Sequence, residues 1–149
     1  YVAGEMKKRG LEVKLEKVMV PHWVRGEERA ELTAFAGQAE KTTQKIVLTA
    51  LGGSVATPGE GITAEVVVVK DFDELEALDR EKVEGKIVLF NYPYDKEMAA
   101  QGRGGNAYGI EVEYRDQAPF VAAKQGAVHA PGRSGGGQED PQPNTCSTT

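Results

Sequence analysis

The stretch from residue 62 to residue 90 constrains this chain more than any other. "ITAEVVVVK" (62–70) is a β-branched run of strand character. "DFDELEALDREKVEG" then reads as a short helix: Asp71 or Asp73 can cap it, Leu75 and Leu78 supply an apolar stripe, and Gly85 closes the segment. "KIVLF" (86–90) is a short continuous apolar run of the kind found in fully buried strands. The order β, short α, β therefore predicts a mixed α/β fold with a small β-rich core, short helices and long loops.

Upstream, the chain opens on "YVAGEMKKRG", where Val2, Met6 and Arg9 share one helical face and Gly10 is placed to end the helix. With no initiator Met, basic region or apolar core of a leader, this opening is expected to belong to a piece of a longer chain. "LEVKLEKVMVPHWV" alternates Leu11, Val13 and Leu15 against Glu12, Lys14 and Glu16, the period of a half-covered strand. "VMV" loses the alternation and Pro21 ends or bends the pairing. "AELTAFA" (30–36) and "QKIVLTAL" (44–51) are two further strand candidates, joined by the polar "GQAEKTT" as a hairpin connection. "GGSVATPGEG" (52–61) carries four glycines and a proline and is expected to be a loop.

Downstream, "NYPYDKEMAAQGRGGNAYG" reads as loop. A helix is expected over about 117–125, with Phe120, Ala123 and Lys124 at helical spacing, Gly126 as its cap and a strand beginning at "AV". From His129 the composition changes: "HAPGRSGGGQEDPQPNTCSTT" holds four glycines, three prolines and, after Ala130, no apolar residue except Cys146. Such a segment buries too little surface to offset its ordering entropy, so residues 129–149 are expected to be disordered and not native to the fold. Losing later strands would leave the sheet edge at "KIVLF" unpaired.

A chain of 149 residues is long enough to bury a real core, and 40% hydrophobic with 28% charged residues is ordinary for a globular protein. A net charge of −5 argues against a nucleic-acid partner, which calls for a basic face. One cysteine, Cys146, excludes an internal disulfide framework and a cysteine-rich zinc knuckle. No stretch approaches the roughly 20 apolar residues needed to cross a bilayer, so no membrane partner is expected.

Four stretches invite a chemical reading. "PHWVRGEE" (21–28) sets His22 near Glu27 and Glu28, yet zinc needs three or four converging ligands and the other histidine is His129. "GRGGNA" (102–107) fits the dinucleotide fingerprint formally, but "KEMAAQ" before it and "YGIEVEY" after it do not read as a strand and a helix. "GGSVA" (52–56) resembles a degraded nucleophile elbow at Ser54 without its final glycine or a histidine placed to activate the serine. Asp73, Glu74 and Glu76 lie on the exposed face of the predicted helix and read as a solvated face. Nothing converges into a catalytic constellation, and no residue is assigned as catalytic, cofactor-binding or metal-binding.

"VMVPHWVRGEERAEL", "LGGSVATPGEGITAEVVVVKDFDEL", "VEGKIVLFNYP" and "AAKQGAV" together resemble the carboxypeptidase Q-like zinc peptidase family in order and spacing, over about residues 1–128. The resemblance implies a di-zinc peptidase domain that carries an inserted protease-associated domain. Residues 1–50 would be the edge of the peptidase domain and the lead-in to the insert. Residues 51–128 would be an incomplete protease-associated domain, with "EGKIVLFN" as its central strand. The family's zinc ligands lie downstream of the insert and match no position here. Two zinc ions are thus expected in the parent and none on this chain.

Two functional classes follow. In one, the chain is a fragment of a zinc exopeptidase acting on peptides or dipeptides, secreted, periplasmic or lysosomal. Its protease-associated portion would shape or cover the substrate cleft and contribute to a homodimer. In the other, it is a free-standing peptide- or protein-interaction module without catalytic activity. The loops 52–61 and 92–109 are where contact with a substrate cleft is expected first.

Overall fold

The computed structural model describes residues 1–133 and 144–147. It begins with helix α1 (Val2–Lys8). Gly10 follows at φ +79, and the Leu11 amide donates to the Met6 carbonyl at 3.1 Å. This is the left-handed turn that ends a helix. The expected helix and its stop are both present, but its apolar stripe is uncovered: Val2 is 68% exposed and Met6 41%.

Residues 11–29 contain no strand. Alternation made this segment look like one, but a strand exists only where a neighbour takes its amides and carbonyls. Leu15 stands 81% exposed and Met19 98%. A short antiparallel hairpin follows, β1 (Ala30–Leu32) with β2 (Gln44–Ile46), Ala30 opposite Ile46. The polar connection joins them as expected. The predicted strand 44–51 is split, because β3 (Leu48–Ala50) leaves the hairpin for a second sheet.

That second sheet has five strands in the order β3-β7-β6-β5-β4, where β4 is Val66–Val69, β5 Ile87–Phe90, β6 Ala130–Gly132 and β7 Asn144–Ser147. β4, β5 and β6 run parallel, β6 and β7 antiparallel, and β7 and β3 parallel. Between β4 and β5 the chain makes α2 (Phe72–Glu76) and a 3-10 turn at Arg80–Lys82. Asp71 rather than Asp73 is the cap, its Oδ1 accepting the Glu74 amide at 2.9 Å, while the Glu74 carboxylate accepts the Lys70 amide at 2.6 Å. This reciprocal pair is a close variant of the capping box.

Three expectations are corrected here. The stretch read as loop after β5 is mostly helical: α3 (Lys96–Met98), a π turn over Ala99–Arg103 and α4 (Gly104–Lys124). Glycines at 104, 105 and 109 hid the helix, since glycine disfavours helix by about 1 kcal/mol each, while Gly102 at φ +78 marks the kink before it. Packing overrides that preference, because Ala107, Glu111, Ala118, Pro119 and Ala122 are buried along one face. Second, disorder from His129 does not hold for the described part of that segment. The His129 carbonyl accepts from the Val88 amide at 2.9 Å, and β6 and β7 belong to the sheet. Residues 134–143 and 148–149 lie outside the described residues. Third, "KIVLF" is not an unpaired edge: β5 is flanked by β4 and β6.

The core lies on the helix-covered side of this sheet: Val69, Leu75, Val83, Val88, Phe90, Ala118, Ala122 and Ala130. Burial on both faces, expected for 86–90, is only half realised. Val88 and Phe90 are buried, while Ile87 and Leu89 are half-buried.

Candidate functional site

"PHWVRGEE" is not a strand. Its side chains clasp the backbone at the end of β3. The Trp23 indole Nε1 donates to the Ser54 carbonyl at 2.9 Å. Arg25 Nη2 donates to the Ala50 carbonyl at 2.8 Å, and the Ala50 amide donates to Glu28 Oε1 at 2.8 Å. Arg25 Nε lies 3.0 Å from the same Glu28 oxygen, and its guanidinium sits 5.6 Å from the centre of the Trp23 ring. An indole donates only, a guanidinium donates only and a carboxylate accepts only, so the three together match a backbone edge that offers both kinds of group. His22 and Glu27 are exposed and take no part.

The other candidates are scattered. Ser54 contributes its carbonyl to the clasp. "GRGGNA" does lead directly into a helix, contrary to the sequence reading, but β5 ends at Phe90 and no strand immediately precedes it. Glu74 is a capping residue, whereas Asp73 and Glu76 are exposed. His129 is half-buried beside Ile87, and burial lowers its affinity for a proton. Among the described residues no group of three His, Cys, Asp or Glu side chains could hold a metal ion. They therefore do not fit a zinc centre, and no catalytic step is derived from them.

A second cluster was missed from sequence. β4, β5 and β6 end at one margin of the sheet, where ligands of α/β proteins tend to bind. There Arg133 Nη1 donates to Asn91 Oδ1 at 3.3 Å. Tyr114 stacks between Phe72 and Tyr92, each ring centre 4.6 Å away. Burial, reinforced by Tyr92 and nearby carboxylates, pushes the Tyr114 hydroxyl up to about 12. Glu111 on α4 is only 6% exposed, and its Oε2 has no hydrogen-bond partner among the described residues. Burial raises its pKa, opposed by the charges of Arg115 and Arg133. A glutamate on the same helical face as Ala107, Ala118 and Ala122 was the available signal, invisible while 91–109 was read as loop and the helix was expected only from about 117.

The fold has a solved counterpart. A peptidase M28 precursor from Shewanella amazonensis superposes with a TM-score of 0.67 at 25% identity, over 97% of this chain and 34% of that one. This places the chain among peptidase folds of the M28 type. By sequence it is 44% identical over 120 residues to carboxypeptidase Q of Rattus norvegicus and 45% identical over 120 residues to that of Homo sapiens. The alignments cover 80% of this chain and 22% of those proteins, so the chain spans about a fifth of the length of the curated relatives it matches. No family model matches. The chain is a stretch of carboxypeptidase Q-like peptidase sequence. No helix among the described residues is long and apolar enough to cross a membrane.

Proposed function

We propose that this chain is the non-catalytic part of a zinc-dependent exopeptidase. Residues 1–50 form an edge of the peptidase domain, and residues 51–128 belong to a protease-associated domain that shapes or covers the substrate cleft. The observation that carries this reading is the 44% identity over 120 residues to a carboxypeptidase. The distribution of burial supports it: no residue before Val69 is fully buried, so the first part of the chain has apolar surface suited to a larger body. In the parent, zinc would supply the Lewis-acid activation of water that peptide hydrolysis needs. The ligands and general base for that step come from elsewhere in the polypeptide. Peptides or dipeptides are the substrates, a homodimer the assembly, and a secreted, periplasmic or lysosomal setting fits the family.

Two measurements test this. The purified chain, given zinc and a panel of dipeptides, should show no hydrolysis. Chelator-sensitive turnover that co-purifies with the chain would overturn the non-catalytic assignment. Sequencing the gene and transcript across the codons for residues 120–149 and beyond should find a frame running into an apolar strand and His, Asp and Glu motifs. A transcript with no such frame would make the product a truncated, non-catalytic module, and the enzyme reading would then describe only its ancestry.

A further inference from the structure

β3 is an edge strand of the five-stranded sheet, with β7 on one side only. An open edge offers amides and carbonyls to any extended segment, and folded proteins cover such edges. At Ala50 both backbone groups are taken by side chains: the amide by Glu28 at 2.8 Å and the carbonyl by Arg25 at 2.8 Å. One acceptor and one donor presented to the same residue reproduce the pair of bonds that an antiparallel neighbour would exchange with it. Arg25 and Glu28 are themselves joined at 3.0 Å, which fixes both for the task. Trp23 adds a third bond at Ser54, beyond the end of β3, at 2.9 Å. At the opposite edge of the sheet, β4, Val66 is 43% and Val68 54% exposed, and one residue past the strand the Glu74 carboxylate takes the Lys70 amide.

We propose that Trp23, Arg25 and Glu28 act together as a surrogate strand. This latch closes the β3 edge and ties the loop 51–61 to the connection 21–29. Glu28 is its keystone, because one carboxylate oxygen serves both the Ala50 amide and Arg25. Releasing Glu28 frees two bonds at once and leaves Arg25 on the Ala50 carbonyl, no longer held by a carboxylate, and Trp23 on Ser54 as the remaining ties. The latch converts what would be a flexible neck between the N-terminal segment and the α/β unit into a fixed joint. The inference stands on this chain's own contacts and does not require the peptidase reading.

The test uses the full chain and its single tryptophan as reporter. In Glu28→Ala, hydrogen exchange at the Ala50 amide and through residues 51–61 should accelerate about tenfold or more, the scale of a lost bond to a charged group. Trp23 emission should shift to the red, while the amides of Val88 and Phe90 keep their protection. Glu28→Gln retains an acceptor for the Ala50 amide but not the charge that holds Arg25, so it should fall between. Arg25→Lys, a milder change should the alanine variant fail to fold, cannot reach Glu28 and the Ala50 carbonyl together and should also loosen the loop. Parental exchange at Ala50 and parental Trp23 emission in all three variants would overturn the proposal. So would acceleration shared equally by Val88 and Phe90, because the contacts would then belong to global folding and not to a local latch.

Discussion

The chain divides into two regions that spend their apolar residues in opposite ways. From Val69 to Gly132, valine, leucine, phenylalanine and alanine pack between the parallel β4-β5-β6 part of the sheet and the helices α2 and α4. From Tyr1 to Glu65 nothing is fully buried, and Leu15, Val18, Met19, Val20 and Val24 are each at least 70% exposed. Hydrophobicity is similar in kind on both sides; what differs is the supply of partners. In the second region a β-α-β step closes on itself within some twenty-five residues, so its apolar faces meet locally. In the first, strand-like text has no strand beside it, and order comes from side chains bonding to backbone, as at Trp23, Arg25 and Glu28.

The contrast predicts where substitutions hurt. Phe90→Ala should have the largest effect, because Phe90 is 1% exposed and packs against Phe72 and Tyr114. A loss of about 3–5 kcal/mol is expected in urea unfolding, and a loss below about 1 kcal/mol would break the claim that the second region holds the core. Gly126→Ala comes next. Gly126 sits at φ +86, and an added Cβ would come within 3.1 Å of Glu84 Cγ. A cost of about 2 kcal/mol is expected in the same assay.

Glu111→Gln should act with the opposite sign. Burial raises the folded-state pKa of Glu111 above its ordinary value of 4.5. Such a group favours folding fully below the unfolded pKa, and that contribution is lost as pH rises through the folded one. The glutamine variant should therefore be more stable than the parent at pH 7, by about 1 kcal/mol. Its advantage should vanish below about pH 4, where the parent carboxyl is protonated in both states. An unfolding series across pH 3–8 that shows a constant difference would discard the buried-carboxylate account. Leu15→Thr marks the small end: Leu15 is 81% exposed, so its unfolding midpoint should move by no more than about 0.5 kcal/mol. A larger loss would mean that the first region has packing of its own.

Legibility followed the range of the forces involved. The cap near Asp71 and the stop at Gly10 rest on contacts a few residues apart, the β-α-β order of 62–90 on pairing within some twenty-five residues, and all are present. The missing strand at 11–20 and the helix that begins at Gly104, expected only from about 117, depart from the sequence reading for opposite reasons. In the one, a correct alternation lacked a partner; in the other, poor helix formers were held by a partner. The "PHWVRGEE" question was posed by residue types and resolved only by geometry, since nothing local reveals that Glu28 meets Ala50, twenty-two residues on.

Sequence alone determined the α/β character and the kinship with carboxypeptidase Q. Those follow from local pattern and residue identity, which survive without knowing what touches what. The tertiary structure decided which apolar faces are covered, that β5 is internal to the sheet, that Glu111 is buried, and that Trp23, Arg25 and Glu28 close an edge. Each of these depends on the pairing of residues distant along the chain, and burial and hydrogen bonding exist only once those pairs have formed.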